Sequence, residues 1–145
     1  MRKPFSGKAP PPPGLPRYNR GMKFTQESAP GVNRVNGWRE GVLRINDDEF
    51  TSAVVVSADT VRAVTLSDPA ALEESALADA LALEPEVLLL GTGSRQRWPA
   101  PQLVAALARR RIGLEVMDTL AAARTYNVLV GEERRVVAVL YPPGA

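Results

Sequence analysis

From Val32 onward the spacing of apolar residues switches between a strand's alternation and the three-and-four spacing of a helix. Three short strands are predicted first, over Val32 to Val35, Gly41 to Ile45 and Glu49 to Val56. Asn46, Asp47 and Asp48 separate the last two, and such short polar residues tolerate the backbone of a tight antiparallel hairpin. Val61 to Leu66 is a further strand or an extended connector. Over Ser67 to Pro85 a helix is expected: Asp68 caps it, Pro69 suits its first turn, and Leu72, Ala76, Leu77, Ala80 and Leu81 recur at helical spacing.

The second half repeats a strand-then-helix rhythm. Val87 to Leu90 is too short for a helix and apolar throughout, as a strand covered on both faces must be. A helix over Pro101 to Arg111 follows, with Leu103, Val104 and Leu107 on its buried side and Arg109, Arg110 and Arg111 complementing the negative end of its dipole. Gly113 opens the strand Leu114 to Met117; Thr119 to Val130 forms a third helix, and Val136 to Tyr141 a last core strand. The order βββ-α-β-α-β-α-β predicts an α/β fold: a single domain with a mixed central β-sheet, packed helices and an additional N-terminal β-hairpin layer.

Composition narrows the chemistry. The 145 residues contain no cysteine and no histidine, which excludes disulfides, thiolate nucleophiles, His or Cys metal sites and any Ser-His or Cys-His pair. Asp47, Asp48 and Glu49 belong to a hairpin turn, where neighbouring carboxylates diverge, so no metal or cofactor is expected. The formal charge of +2 is unevenly placed. Residues 1–21 hold five basic residues, no acid and six of the 13 prolines, whereas residues 22–145 hold 13 basic and 16 acidic residues, or −3. The first segment reads as a disordered basic tail and residues 22–145 as the folded domain, with Met22 a candidate translation start. A mildly acidic body argues against a nucleic-acid footprint outside the tail. With neither a secretory signal nor a membrane-spanning run, a cytoplasmic location is expected.

Parallel strands deliver their carboxyl ends to the sites of α/β proteins, and two such tips stand out, Leu88–Gly93 and Leu114–Thr119. Gly91, Thr92 and Gly93 form a G-x-G whose third glycine is replaced by Gln96, a weak nucleotide signal; the glycines suit a sharp turn and close backbone approach. Arg95, Arg97 and Arg124, with hydroxyls from Thr92, Ser94 and Thr125, are candidates for holding an anion in the cleft that Asp118 and Thr119 also line. The alternative is that one of these arginines pairs with Asp118 and ties the two loops together. Trp98, before Pro99, either shields the crossing or offers an aromatic anchor to a partner. Tyr126 and Asn127 face the same cleft or bond to neighbouring loops. Glu115, on the second strand, lies nearer the core or the opposite helix and makes no convincing acid-base pair with Asp118, so no catalytic residue is assigned.

The segments EVLLLGTGSRQRWP, ARRRIGLEVMDT and AAARTYNVL resemble the small domain family that includes mitochondrial complex I assembly factor 3 and uncharacterised bacterial and archaeal proteins. The resemblance runs from about MKFTQES to VVAVLY. It implies a three-layer fold around a mixed sheet, no established enzymatic activity, and work through contacts with proteins such as membrane-complex subunits or other assembly factors. Ala123 stands where relatives are expected to carry Cys, which removes any thiol role. The combined expectation is a non-enzymatic protein-interaction or assembly factor; the rival is a small-anion-binding protein or cryptic enzyme using the Gly91–Gly93 and Asp118 cleft.

Overall fold

The computed structural model describes residues 31–144; the basic tail, residues 1–21, and the polar stretch to residue 30 lie outside them. Five strands build the central sheet: β4 (Ala53–Ser57), β5 (Thr60–Val64), β6 (Val87–Gly91), β7 (Gly113–Met117) and β8 (Val136–Leu140), in the order β5-β4-β8-β6-β7. β8 runs parallel to β6 and antiparallel to β4, so the sheet is mixed. β4, β6 and β8 occupy its middle because they can be buried on both faces. Val54, Val56, Leu89, Val136, Ala138 and Leu140 join one core; Val55, Leu88, Leu90, Val137 and Val139 join the other. This alternation is the two-residue period of a pleated strand.

The first core is closed by helix α3 (Thr119–Gly131) and by a small antiparallel sheet of β1 (Val35–Arg39), β2 (Val42–Ile45) and β3 (Asp48–Phe50). The second is closed by helix α2 (Pro101–Arg109) and the Leu72, Leu77 and Ala80 side chains. The predicted α/β class, mixed sheet and extra N-terminal layer are therefore present.

Several boundaries differ. The first strand begins at Val35, not Val32, because the preceding backbone is already engaged: Asn33 N–H donates to Ala58 O and Arg34 N–H to the Asn46 side chain. The predicted strand Glu49 to Val56 divides at Thr51 and Ser52, and its halves join different sheets. Ala53–Val56 needs cover on both faces, while Asp48–Phe50 is largely exposed. Asn46 adopts φ 55° in the hairpin, the left-handed turn expected of it.

The predicted helix after Ser67 also breaks. It becomes two 3-10 turns, Pro69–Ala71 and Glu74–Leu77, followed by the short helix α1 (Ala78–Leu81). Leu72 and Leu77 must both reach the sheet, but five residues is not a helical repeat, and the chain extends at Leu72 and Glu73 to bring both inward. Asp68 caps the first turn by accepting from Ala70 N–H, as predicted.

Candidate functional site

The β6 and β7 tips do meet, but they meet through their own backbones. A Cβ on Gly91 would stand 2.9 Å from Leu140 Cδ2, 3.0 Å from Ala122 Cβ and 3.0 Å from Thr119 Cα, so α3 starts against the bare strand end. Gly93, at φ 100°, turns the chain back. Its N–H donates to Thr119 Oγ1 at 2.8 Å, and Thr119 N–H returns a bond to Gly93 O at 2.8 Å. The Thr119 hydroxyl donates to Tyr141 O at 2.7 Å, joining β6, α3 and the end of β8 at one buried side chain.

Thr92 closes the other side. Its N–H donates to Met117 O at 2.9 Å, its hydroxyl donates to Arg95 O at 2.7 Å, and the same oxygen accepts from Arg97 N–H at 2.9 Å. Gln96 crosses to the β7 edge and donates to Val116 O at 2.8 Å. Ser94 Oγ accepts from Gly144 N–H. The Thr92, Gly93 and Arg97 amides and the Thr92 hydroxyl are thus engaged within the chain.

The expected pairing of Asp118 with Arg97 or Arg124 does not form. Asp118 is the N-cap of α3 and accepts from Ala121 N–H at 2.8 Å, an arrangement that satisfies one of the helix's free donors locally. Arg97 turns away to Asp68, with Nη2 2.7 Å from Oδ1 and 2.9 Å from Oδ2. Arg124 lies over the Trp38 ring, its Cζ 6.0 Å from the centroid. Arg95 is exposed, so the three guanidiniums diverge and no anion fork is assembled. Glu115 is exposed at the sheet edge rather than near the core.

The later residues bind the small sheet to α3. Asn127 pairs with both backbone groups of Val35: its Oδ1 accepts from the N–H at 3.0 Å and its Nδ2 donates to the carbonyl at 2.8 Å. One side chain thus does what a neighbouring strand would do. Tyr126 is buried beneath it and donates its hydroxyl to Asn33 O at 2.8 Å; burial pushes its phenol well above the ordinary tyrosine range. Thr125 directs its hydroxyl at Met117 Sδ, 3.7 Å away. Burial likewise pushes Tyr141 up to about 12, beside the Asp68 carboxylate and with its hydroxyl donating to Ser67 O.

Trp98 projects from the β6–α2 loop with 64% of its surface exposed, while Pro99 beside it is buried. A side chain this exposed does not shield the crossing of the two loops. Sequence reasoning missed Trp38, Asn33 and the long-range bonds of the Asn46 side chain: Trp38 sits in a stretch the hydrophobic pattern left as a connector, Asn33 donates to Ser57 O, and Asn46 accepts from Arg34 N–H and donates to Asn33 Oδ1. Among the described residues no three acidic, His or Cys side chains gather as a metal site would require; Glu49 pairs with Arg39 and Asp47 with Arg44.

Residues 35–141 match the family described as protein of unknown function, DUF498/DUF598. The chain belongs to this family. The resemblance carried by LLLGTG, EVMDT and RTYN is thereby borne out, and the chain is similar to proteins of quite different names. The chain is 29% identical over 103 residues to the 13 kDa major membrane protein of Francisella tularensis, covering 70% of this chain and 84% of that protein. It is 45% identical over 65 residues to NADH dehydrogenase (ubiquinone) 1 alpha subcomplex assembly factor 3 of Danio rerio, a match spanning 43% of this chain and only 37% of that protein. A crystal structure of a Bordetella parapertussis protein superposes with a TM-score of 0.73 at 40% identity, over 79% of this chain and 98% of the other. No helix among the described residues is long and apolar enough to cross a membrane.

Proposed function

We propose that this chain is a non-enzymatic interaction or assembly factor, serving the biogenesis of a respiratory or other membrane complex through contacts with its subunits or with other assembly factors. One observation carries the reading: the strand-tip region is closed by the chain's own hydrogen bonds at Thr92, Gly93 and Thr119, while Trp98 beside it is presented outward. A large, rigid aromatic side chain on a pinned loop loses little entropy on contact and suits an interface anchor. The family tie to an assembly factor supports the same reading and suggests its partner class. The expected cytoplasmic location is part of the proposal, with the chain meeting membrane complexes from that side.

The test is capture of detergent-solubilised respiratory complexes by the tagged full chain, with subunits identified by antibody or mass spectrometry. Trp98→Ala, checked for folding by circular dichroism, should reduce recovery of those subunits. Undiminished recovery would remove Trp98 as the anchor. Reproducible turnover of a small molecule, abolished by Asp118→Asn in a folded protein, would overturn the non-enzymatic assignment, and exclusive recovery outside the cytoplasmic fraction would overturn the location.

A further inference from the structure

A second surface, on the outside of α3 and β1, is left unused by the Trp98 reading. Trp38 is 42% exposed and Val128 58% exposed. Arg124 lies one helical turn before Val128 and places its guanidinium over Trp38, with Cζ 6.0 Å from the ring centroid. Arg34 reaches the same helix farther along: its Nη1 donates to Asn127 O at 3.1 Å, and its Nη2 passes 3.4 Å from where a Cβ on Gly131 would stand. On the adjoining strands Arg39 is neutralised by Glu49 and Arg44 by Asp47. Arg34 and Arg124 have no carboxylate partner among the described residues. The face therefore combines exposed apolar surface with two uncompensated cations.

We propose that this face docks a protein segment presenting a carboxylate beside an apolar side chain, the carboxylate on Arg124 and the apolar group against Trp38 and Val128. With its Cζ 6.0 Å from the Trp38 centroid and no carboxylate partner among the described residues, the Arg124 guanidinium keeps its fork of donors for a carboxylate in a two-pronged contact. Trp and Arg together are the residue types that dominate interface energetics. A polyanion such as nucleic acid or a lipid surface fits less well. Residues 22–145 carry 16 acidic against 13 basic residues, and a point contact with one carboxylate avoids the repulsion that an extended anionic partner would meet. The inference rests on the protein-interaction reading and names the chemistry of a partner at a surface distinct from Trp98.

The chain has two tryptophans, so Trp98→Phe in the full chain leaves Trp38 as the sole indole reporter. The probes are three synthetic amphipathic peptides, identical in their leucines and carrying Glu, Gln or Lys at the polar positions. The Glu peptide should shift Trp38 emission saturably, and added salt should weaken the response. The Gln peptide should bind roughly tenfold more weakly, the Lys peptide should give no saturable response, and Arg124→Gln should weaken the Glu peptide by roughly tenfold. Arg124→Lys serves as a second variant that keeps the charge but loses the planar fork, and an intermediate loss is expected. Equal response to all three peptides, no response to the Glu peptide, or indifference to both Arg124 variants would overturn the proposal. So would a matching response to phosphatidylglycerol vesicles, or concentration-dependent self-association lost in Arg124→Gln, which would give the face to a lipid surface or a second copy. Failure here with Trp98-dependent capture intact removes only this face; loss of complex-subunit capture with the peptide response intact removes the assembly reading instead.

Discussion

Asn127→Asp is an almost isosteric change that reverses one hydrogen bond and spares the other. The introduced carboxylate can still accept from Val35 N–H, which now sits 3.0 Å from Asn127 Oδ1. On the other side the Nδ2 donor, 2.8 Å from Val35 O, becomes a second acceptor facing a carbonyl oxygen. Losing that bond removes about 0.5–1.5 kcal/mol, and leaving the carbonyl without a donor adds about 1–3 kcal/mol. The sum, about 1.5–4.5 kcal/mol, is a large part of the roughly 5–15 kcal/mol that holds a domain of this kind together. Urea denaturation followed by far-UV circular dichroism measures it directly, with an unchanged m-value as the sign that the unfolded state is not involved.

The substitution also carries a pH signature. Facing a carbonyl, the introduced carboxyl is held by the fold in its protonated, donating form, so its folded pKa is raised above the unfolded value. Stability lost to the substitution should therefore be small below the ordinary aspartate range and grow as pH rises through the folded pKa. Asn127→Ala removes both contacts and should be costly at every pH. A neutral-pH cost below about 0.5 kcal/mol for Asn127→Asp would refute the idea that this side chain stands in for a strand, since even a single net hydrogen bond is worth that much. A cost independent of pH would refute the assigned orientation of its amide.

Gly91→Ala should destabilise the fold by about 1–3 kcal/mol, because two of the three atoms its Cβ would meet, Thr119 Cα and Ala122 Cβ, cannot rotate away; Gly113→Ala, whose nearest neighbour is Glu86 O at 3.4 Å, should cost clearly less in the same thermal melts. Asp118→Ala should cost about 1 kcal/mol, the value of a helix cap, and should be additive with Arg97→Ala and Arg124→Ala; a double-mutant coupling well above 0.5 kcal/mol, roughly the scatter of independent sites, would restore the ion pair. Tyr141, raised to about 12 from an ordinary 10, is favoured in its protonated form by the fold, so its contribution should be complete below about pH 10 and lost as pH rises toward 12; Tyr141→Phe should flatten that part of the alkaline stability profile, and an unchanged profile would contradict the assignment.

The apolar pattern by itself marked Val87–Leu90 as a strand covered on both faces and Val136–Tyr141 as a core strand, whereas the place of Val54–Val56 beside them came from the pairing of β4 with β8. Val54–Val56, Leu88–Leu90 and Val136–Leu140 have no polar face to give to water, and a strand without one must be covered on both sides. Local chemistry was equally legible where a residue serves its own neighbours: Asn46 in its turn and Asp68 and Pro69 at the start of a helical turn. The close approach expected of the glycines at the β6 tip is also present, at Gly91 against α3. The motif segments were sufficient to point to the family.

What the tertiary structure decided are the partners of side chains that reach across the chain. Asp118, Arg97 and Arg124 look like one constellation in sequence, yet each has a nearer or better-aligned partner: the Ala121 amide, the Asp68 carboxylate and the Trp38 ring. Sequence could not rank those choices, because Asp68 and Trp38 arrive at the two sides of the sheet only after the strands have paired. The break of the run Glu49 to Val56 has the same origin, since whether a strand continues depends on which sheet offers it a cover. Asn127 and Tyr126 bond to backbone groups of Val35 and Asn33, and any residue type could have supplied those groups, so no composition or spacing marks them. Periodicity reports which side of an element is buried; it carries no information about what lies opposite until the fold has brought the two together.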